Sequence, residues 1–303
     1  MHGIAFRYFL EVARTGSISE ASERLHIAVS AISRQIAKLE DDVGVTLFER
    51  RPRGMVLSDA GEILANYARR TMLEEDRVLS EICGRDTLTH STVRIASPEG
   101  FSIGFLPMAI ASFRERYPGV RFLLQVGSPI EATHRVRDGD ADLALTFSLM
   151  PERNVKVEHS ERAPIYALMT AAHPLATRTH ISLADLMPYQ LSLPAEGTTI
   201  RQLFDSCCGV EELLFEPVFV SNSMAALHSF SKQSGAIVLT GYVTARHQIA
   251  TEDLAAVPVS NPEMSQRTLQ VQSMAGRTLP VAVRAFRDHL IAEIVGTAAP
   301  LHP

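Results

Sequence analysis

The side chains best placed to do chemistry near the start of the chain lie on one short segment, SAISRQIAKLE, at 30–40. At about 100° per residue, Ile32, Ile36 and Leu39 share one stripe of a helix, which predicts a buried face. The opposite side carries hydroxyls and two cations: Ser30, Ser33, Arg34 and Lys38. These groups can bind anions and other polar ligands. On an isolated helix, however, a solvated face is the ordinary explanation, so the flanking elements must decide.

The rest of the sequence offers no enzyme-like constellation. It has no phosphate-binding glycine loop, no G-x-S-x-G and no histidine pair at metal-ligand spacing, so we predict no catalytic residues, no cofactor and no metal. The adjacent Cys207 and Cys208 suggest a thiol switch, but neighbouring cysteines rarely form an unstrained disulfide. We therefore favour buried or incidental thiols.

Length and composition indicate a two-domain protein without a membrane segment. The 303 residues are 46% hydrophobic, and no apolar run reaches the ~20 residues of a membrane span. The N-terminus lacks the apolar stretch of a signal peptide, and three cysteines make no disulfide framework, so we expect a cytoplasmic protein. The net charge of −5 argues against nucleic acid, but cations bunch between residues 34 and 53.

The elements around the polar face predict a helix-turn-helix. Residues 4–14 and 20–25 read as helices, the second capped by Ser19. A tight connection at 26–28 leads to a third helix from Val29 to about Asp42, and Gly44 ends it.

A basic hairpin should follow this helix-turn-helix. VTLFER and RPRGMVLS predict two strands with Arg50, Arg51 and Arg53 at their tip, although these arginines could instead pair with Glu49 or Asp59. A helix of about 25 residues follows from 59, capped by Ser58 or Asp59. Its apolar stripe is too long to bury alone, which predicts a dimer contact. Residues 84–91 form a polar linker.

From residue 92 onwards strands and helices alternate, which predicts a mostly parallel sheet covered by helices. TVRIA, VRFLLQV and DLALTF are the first strands, and TLQVQSM followed by PVAVRAFRDHLIAEI closes the chain.

Taken together, these motifs resemble the LysR-type transcriptional regulators. The first 70 residues contain A-S-x-x-L, S-A-x-S-R-Q-I-x-x-L-E, L-F-x-R and L-S-x-A-G. Later segments resemble the family's effector domain more loosely, through R-I-A-S at 94–97, F-R-x-x-Y-P at 113–118 and G-x-x-D-L-A-L at 139–145. Val29 stands where the family often has a glutamine, and valine can contact only a thymine methyl.

The resemblance implies an α/β protein with three parts. These are a winged helix-turn-helix at 1–58, a dimerising linker helix and hinge at 59–91, and an effector domain at 92–303. The last would resemble type 2 periplasmic binding proteins, with lobe one at 92–161 plus 267–300 and lobe two at 162–266.

For the DNA-binding part we assign Ser30 and Ser33 to base edges or phosphates, and Arg34 to guanine or a phosphate. Gln35 would reach adenine and Lys38 a phosphate, while the hairpin residues Arg50, Arg51 and Arg53 would follow the minor groove or backbone.

In open α/β sheets, ligands bind beyond the carboxyl ends of strands, where helix N-termini offer N–H groups. We therefore expect an effector cleft between the lobes. Its candidate residues are Ser97, Glu99, Gly100, Phe101, Ser102, Ser128, Thr146, Phe147, Gly197, Thr198, Thr199, Ser221 and Asn222. The alternative is that these hydroxyl and amide groups are only helix caps. Glu99 would oppose a simple anion, and could instead meet an amine or turn outward.

The sequence thus predicts a regulator that binds an inverted-repeat operator in double-stranded DNA and responds to a small-molecule effector. The resemblance implies a homodimer or homotetramer, and RNA polymerase is a possible further partner. The alternatives are an enzyme or solute-binding module on the same fold, or a thiol-switch regulator acting through Cys207 and Cys208.

Overall fold

The computed structural model describes residues 3–52, 54–84 and 88–296. The chain forms two compact units, one made of the residues up to 84 together with 276–278, and the other made of the rest. The first unit contains α1 (Gly3–Thr15), α2 (Ile18–Leu25), α3 (Val29–Val43), β1 (Phe48–Arg51), β2 (Gly54–Leu57) and α4 (Asp59–Ile82).

Local capping sets the bounds of the helix-turn-helix. The prediction that Ser19 caps α2 is wrong, because the hydroxyl of Ser17 accepts the hydrogen bond from the Glu20 N–H and the helix begins at Ile18. His26, in the left-handed region at φ 55°, ends α2. Gly44 ends α3 in the same conformation, as glycine does at helix ends.

The core of the first unit lies between the three short helices and the start of α4. The predicted stripe of Ile32, Ile36 and Leu39 is buried against residues of the other helices, among them Phe9 and Ala21. This burial confirms that one face of α3 belongs to the core. The opposite face of the helix is exposed.

The second unit is built on two five-stranded sheets. Its strands are β3 (Thr92–Pro98), β4 (Arg121–Gly127), β5 (Leu143–Ser148), β6 (Val155–Arg162), β7 (Ile165–Thr170), β8 (Leu191–Pro194), β9 (Phe219–Ser221), β10 (Ile237–Gly241), β11 (Leu254–Pro258) and β12 (Thr268–Met274). Its helices are α5 (Glu99–Ser102), α6 (Phe105–Arg116), α7 (Pro129–Asp138), α8 (Leu183–Leu186), α9 (Thr199–Glu211), α10 (Met224–Ser234), α11 (Tyr242–Thr251) and α12 (Val281–Gly296).

Both sheets are mixed, which corrects the prediction of a mostly parallel sheet. The strand orders are β4-β3-β5-β12-β6 and β11-β7-β10-β8-β9. In each sheet two of the four pairings are parallel, and the two that involve β12 or β7 are antiparallel. The chain crosses to the second sheet after β6 and returns before β12, so β12 enters the first sheet in the opposite direction.

Each sheet has its own apolar core. Helices α6 and α12 pack on the first sheet around Phe113 and Phe286, while α9 packs on the second around Phe204. A buried carboxylate, Asp142, accepts hydrogen bonds from the Arg94 backbone N–H and guanidinium at 2.8 Å each, and so ties β3 to the turn before β5. Across the described ranges, every helix is too short or too polar to cross a bilayer.

Candidate functional site

The structure brings the polar residues of α3 together on one exposed face. Ser30, Ser33, Arg34 and Lys38 are exposed, and Gln35 is half-buried at its edge. The Arg34 side chain folds along its own helix, since its Nε donates to the Ser30 carbonyl at 3.2 Å. The face therefore offers two hydroxyls, an amide and two cations on a helix whose other side is fixed in the core.

Beside this helix stands the predicted hairpin. Strands β1 and β2 pair antiparallel, with Arg51 opposite Gly54. Arg50 and Arg51 are exposed, whereas Arg53 lies outside the described residues. The alternative pairing holds for Arg51, whose Nη2 lies 2.9 Å from the Glu49 carboxylate. Both partners are well exposed, so this ion pair is weak and leaves Arg51 available to another anion.

The role of Glu40 in positioning α3 was not predicted from the sequence. Its Oε1 accepts hydrogen bonds from the backbone N–H of Leu47 at 2.7 Å and of Phe48 at 3.3 Å. It therefore joins the C-terminal part of α3 to the start of β1. The signal was present, because Glu40 is the acid that closes the S-A-x-S-R-Q-I-x-x-L-E motif.

Helix α4 carries exposed apolar side chains. Ser58 caps the helix by accepting from the Gly61 N–H at 3.0 Å. Ile63 is 72% exposed and Ile82 is 76% exposed, and Tyr67 is also exposed. At about 100° per residue these three side chains fall within roughly 100° of one another around the helix. They form a stripe, hereafter the α4 stripe, that remains largely exposed in the part of the chain that the structure describes.

A cavity of about 620 Å³ lies in the second unit, at the carboxyl ends of parallel strands of both sheets. This position agrees with the expected site, and the volume falls within the ~300–1,000 Å³ of small-molecule pockets. Eight of the predicted residues line it: Glu99, Gly100, Ser128, Phe147, Gly197, Thr198, Thr199 and Asn222.

The other five predicted residues, all within the described part of the chain, are not among the lining residues: Ser97, Phe101, Ser102, Thr146 and Ser221. Ser97 and Thr146 are fully buried, and the Thr146 hydroxyl donates to the Pro129 carbonyl at 3.2 Å. The ring of Phe101 is also buried and stacks on that of Phe147, with 4.7 Å between centroids.

Several polar residues at the cavity are also helix caps, as the alternative explanation required. Thr198 accepts from the Arg201 N–H at the start of α9. Ser128 and Glu131 form a reciprocal capping box at the start of α7. Capping and lining are compatible here, because a cap at the carboxyl end of a strand faces the cavity.

The Glu99 side chain does not turn outward, and its carboxylate is hydrogen-bonded within the protein. Its carboxylate accepts a hydrogen bond from the Ser223 hydroxyl at 2.9 Å and another from the Met224 N–H. Glu99 follows a strand of the first sheet, whereas Ser223 and Met224 begin α10 beside the second sheet. The carboxylate thus links the end of β3 in the first sheet to the start of α10 beside the second, at the positive end of that helix.

The one arginine among the described lining residues of the cavity, Arg267, was not predicted. Its side chain is 0% exposed, its Nε donates to the Ala163 carbonyl at 2.8 Å, and its Cζ lies 4.1 Å from the Phe147 ring centroid. Within the described ranges, neither Nη1 nor Nη2 has a hydrogen-bond partner. Burial lowers the pKa of Arg267 to about 9, so the group is still protonated at pH 7. No sequence motif marked it, since QRTLQV reads as a linker entering a strand.

The cysteine pair has the wrong environment for a reactive thiol. Burial, together with Glu211 and Glu263, raises the pKa of Cys207 to about 12, and burial raises that of Cys208 to about 11. The reactive form of cysteine is the thiolate, so these sulfurs are poor redox centres at neutral pH. In the part of the chain that the structure describes, no three His, Cys, Asp or Glu side chains are grouped to hold a metal ion.

Comparison with protein families gives two matches that together cover most of the chain. Residues 5–62 match the bacterial regulatory helix-turn-helix protein of the lysR family, and residues 87–294 match the LysR substrate binding domain.

Relatives agree with these matches. The chain is 38% identical to the transcriptional dual regulator GltC of Bacillus subtilis over 205 residues, which are 66% of this chain and 68% of GltC. It is 28% identical over 302 residues to the RuBisCO operon transcriptional regulator of Allochromatium vinosum, covering 98% and 96% of the two chains.

Solved structures share the fold over the whole length. A full-length OxyR variant from Pseudomonas aeruginosa superposes with a TM-score of 0.66 at 20% identity, covering 96% of this chain and 94% of its own. Full-length CbnR in complex with its target DNA gives a TM-score of 0.54 at 18% identity, covering 97% and 100%. The helix-turn-helix with its exposed polar face, the cavity between two mixed sheets and both family matches lead to one conclusion: this chain belongs to the LysR family of transcriptional regulators.

Proposed function

We propose that this regulator binds an inverted-repeat operator through the exposed face of α3. The observation that carries the proposal is the division of α3 into two faces, one packed in the core and one that presents two hydroxyls, an amide and two cations. A helix of this kind fits the major groove, where side chains reach base edges.

The roles within this surface follow from side-chain chemistry. Arg34 suits the two acceptors of guanine or a phosphate, Gln35 suits adenine, and Ser30 and Ser33 suit base edges or phosphates near the helix start. Lys38 suits a phosphate. Arg50, Arg51 and Arg53 would contact the backbone or the minor groove and position the helix without reading sequence.

The α4 stripe supports self-association. Two copies that pack their stripes together would remove these apolar side chains from water and place two copies of α3 for two half-sites. A homodimer through α4 is the proposed unit, and a homotetramer the proposed full assembly. RNA polymerase is a proposed further partner in the cytoplasm, where operator DNA is found.

The cavity supports an effector site. Its position at strand ends, its volume and its lining of helix N-termini suit a small molecule with polar groups. A ligand there acts on DNA binding only through its different affinities for the states of the regulator. We propose no catalytic role for the cavity.

Footprinting of the DNA upstream of the gene's own start tests the operator proposal. We expect two protected half-sites of related, inverted sequence, about one helical turn or a multiple of it apart. A single protected half-site, or uniform protection without sequence preference, would contradict binding as a symmetric pair.

A further inference from the structure

The floor of the cavity holds a charge that the chain leaves incompletely paired. Arg267 is fully buried, and its Nε donates to the Ala163 carbonyl. The ring of Phe147 covers one face of the guanidinium. Within the described ranges, Nη1 and Nη2 make no hydrogen bond. Burying a charge is costly unless it is paired, and one carbonyl and one ring offset only part of that cost.

The carboxylates around the cavity do not provide the missing partner. Three acids line it, Glu99, Glu131 and Glu196. Glu99 is bonded to Ser223 and Met224, and Glu131 accepts from the Ser128 N–H at 2.7 Å, so both carboxylates already have backbone donors. Glu196 is exposed. Arg267 is therefore the charge at this site with the least compensation.

The backbone next to the Arg267 guanidinium leaves room for its two terminal nitrogens. The residue at position 241 is glycine, and a Cβ there would lie 2.6 Å from Nη2, too close for the guanidinium to stay. A guanidinium with two free terminal nitrogens binds the two oxygens of a carboxylate side by side. We propose that Arg267 anchors the carboxylate of an anionic organic effector at the floor of this cavity.

The position of Arg267 also connects such binding to the two chain segments that cross between the sheets. Its carbonyl accepts from the Ala163 N–H at 3.0 Å and its Nε donates back to Ala163, so it joins both segments that cross between the sheets. Because the guanidinium is fully buried, a carboxylate reaches it only when the lobes part slightly. Binding is therefore coupled to a shift between the lobes, and a shift of that kind gives a ligand different affinities for two states.

The inference rests on the proposed effector site and is tested on the intact protein with simple probes. Ligand-observed NMR would be run with straight-chain monocarboxylates from acetate to hexanoate, and with the corresponding amides as uncharged controls. We expect the acids to bind and the amides to bind at least about tenfold more weakly, as expected for a charge-assisted pair. Arg267→Met should abolish binding of the acids, whereas Arg178→Met, at an exposed arginine of the same unit, should leave it unchanged.

Gly241→Ala provides a second variant that keeps the arginine but displaces its guanidinium. It still tests whether Arg267 binds the carboxylate if Arg267→Met does not fold. It should weaken binding of the acids by at least about tenfold. Equal binding of acids and amides, or full binding by either variant, would overturn the inference.

DNA binding measured on the same samples separates the two proposals. If the wild type binds DNA but none of the carboxylates, only the role of Arg267 is refuted. If the wild type binds neither DNA nor any carboxylate, the proposed effector-responsive regulator is refuted as well.

Discussion

At the scale of single residues, the buried His228 on α10 shows how burial sets a charge state. Its Nε2 lies 3.0 Å from the Thr240 hydroxyl, and the ring is almost fully buried. Burial disfavours the imidazolium and lowers the pKa of His228 from 6.5 to about 4. The folded protein therefore keeps this histidine neutral at a pH where the unfolded chain would protonate it.

This difference predicts a loss of stability in acid. Below pH 6.5 the unfolded chain binds a proton that folded His228 does not, so the free energy of unfolding should fall as the pH falls from 6.5 to about 4. The contribution reaches about 3 kcal/mol at the lower end. Thermal melts of the wild type and of His228→Gln, from pH 7 to pH 4.5, measure it. The variant should lose less stability than the wild type, and His180→Gln, at an exposed histidine, should behave as the wild type.

Residue chemistry was predictable from sequence where it followed a surface pattern, and not where it depended on distant contacts. The exposed face of α3 follows from spacing alone. The contact between Glu99 and the start of α10 joins residues more than 120 positions apart, and the buried state of Arg267 depends on Ala163 and Phe147. No local pattern encodes such contacts, so a guanidinium at the cavity floor could not be foreseen.

At the scale of elements, Glu40 joins α3 to the start of the hairpin. Glu40→Ala removes the acceptor of two backbone N–H groups near the buried Leu47 and Phe48. We expect the free energy of unfolding of the DNA-binding unit to fall by about 1–3 kcal/mol. Urea titration followed by circular dichroism measures the change. Asp41→Ala, at the exposed neighbour, is the matched control and should change the free energy of unfolding by less than about 0.5 kcal/mol.

The α4 stripe gives a second prediction at this scale. Ile63→Glu combined with Ile82→Glu places charges on the apolar surface, so self-association should weaken by at least about tenfold. Sedimentation velocity over a range of protein concentrations measures the effect. Asp76→Ala, at an exposed position on the other side of α4, should leave the sedimentation profile as it is in the wild type. A double variant that associates as strongly as the wild type would place the dimer contact elsewhere.

Elements with strong periodicity were found from sequence, whereas strand direction and strand β6 were not. Helix α3 begins at Val29 as predicted, and its end at Val43 is one residue beyond the predicted end. Strand β6 was missed because VKVEHSER mixes exposed and half-buried positions irregularly and has no apolar run. The mixed sheets were missed because strand direction depends on where the chain crosses, which strand sequences do not record.

At the scale of the whole molecule, one chain carries both the proposed DNA-binding face of α3 and the proposed effector cavity. Coupling between two such sites is a difference in binding free energy, and about 1.4 kcal/mol changes operator affinity tenfold. The contact of Glu99 with α10 and the proposed anchoring at Arg267 lie at the same cavity. Both contacts join elements of the two sheets. An effector that alters either contact would therefore shift the equilibrium between the states of the regulator.

The most direct test of the account is whether Arg34 contributes to sequence-specific DNA binding. Fluorescence anisotropy would follow binding to the DNA upstream of the gene's own start at two salt concentrations. Wild type would be compared with Arg34→Ala and with Arg153→Ala, an exposed arginine in the other unit.

We predict tight, salt-dependent binding that Arg34→Ala weakens by about 1–3 kcal/mol, or roughly 5- to 150-fold, and that Arg153→Ala leaves unchanged. Salt-dependent binding that is indifferent both to Arg34 and to DNA sequence would contradict the account. In that case the basic charge would hold the DNA, and the exposed face of α3 would not read it.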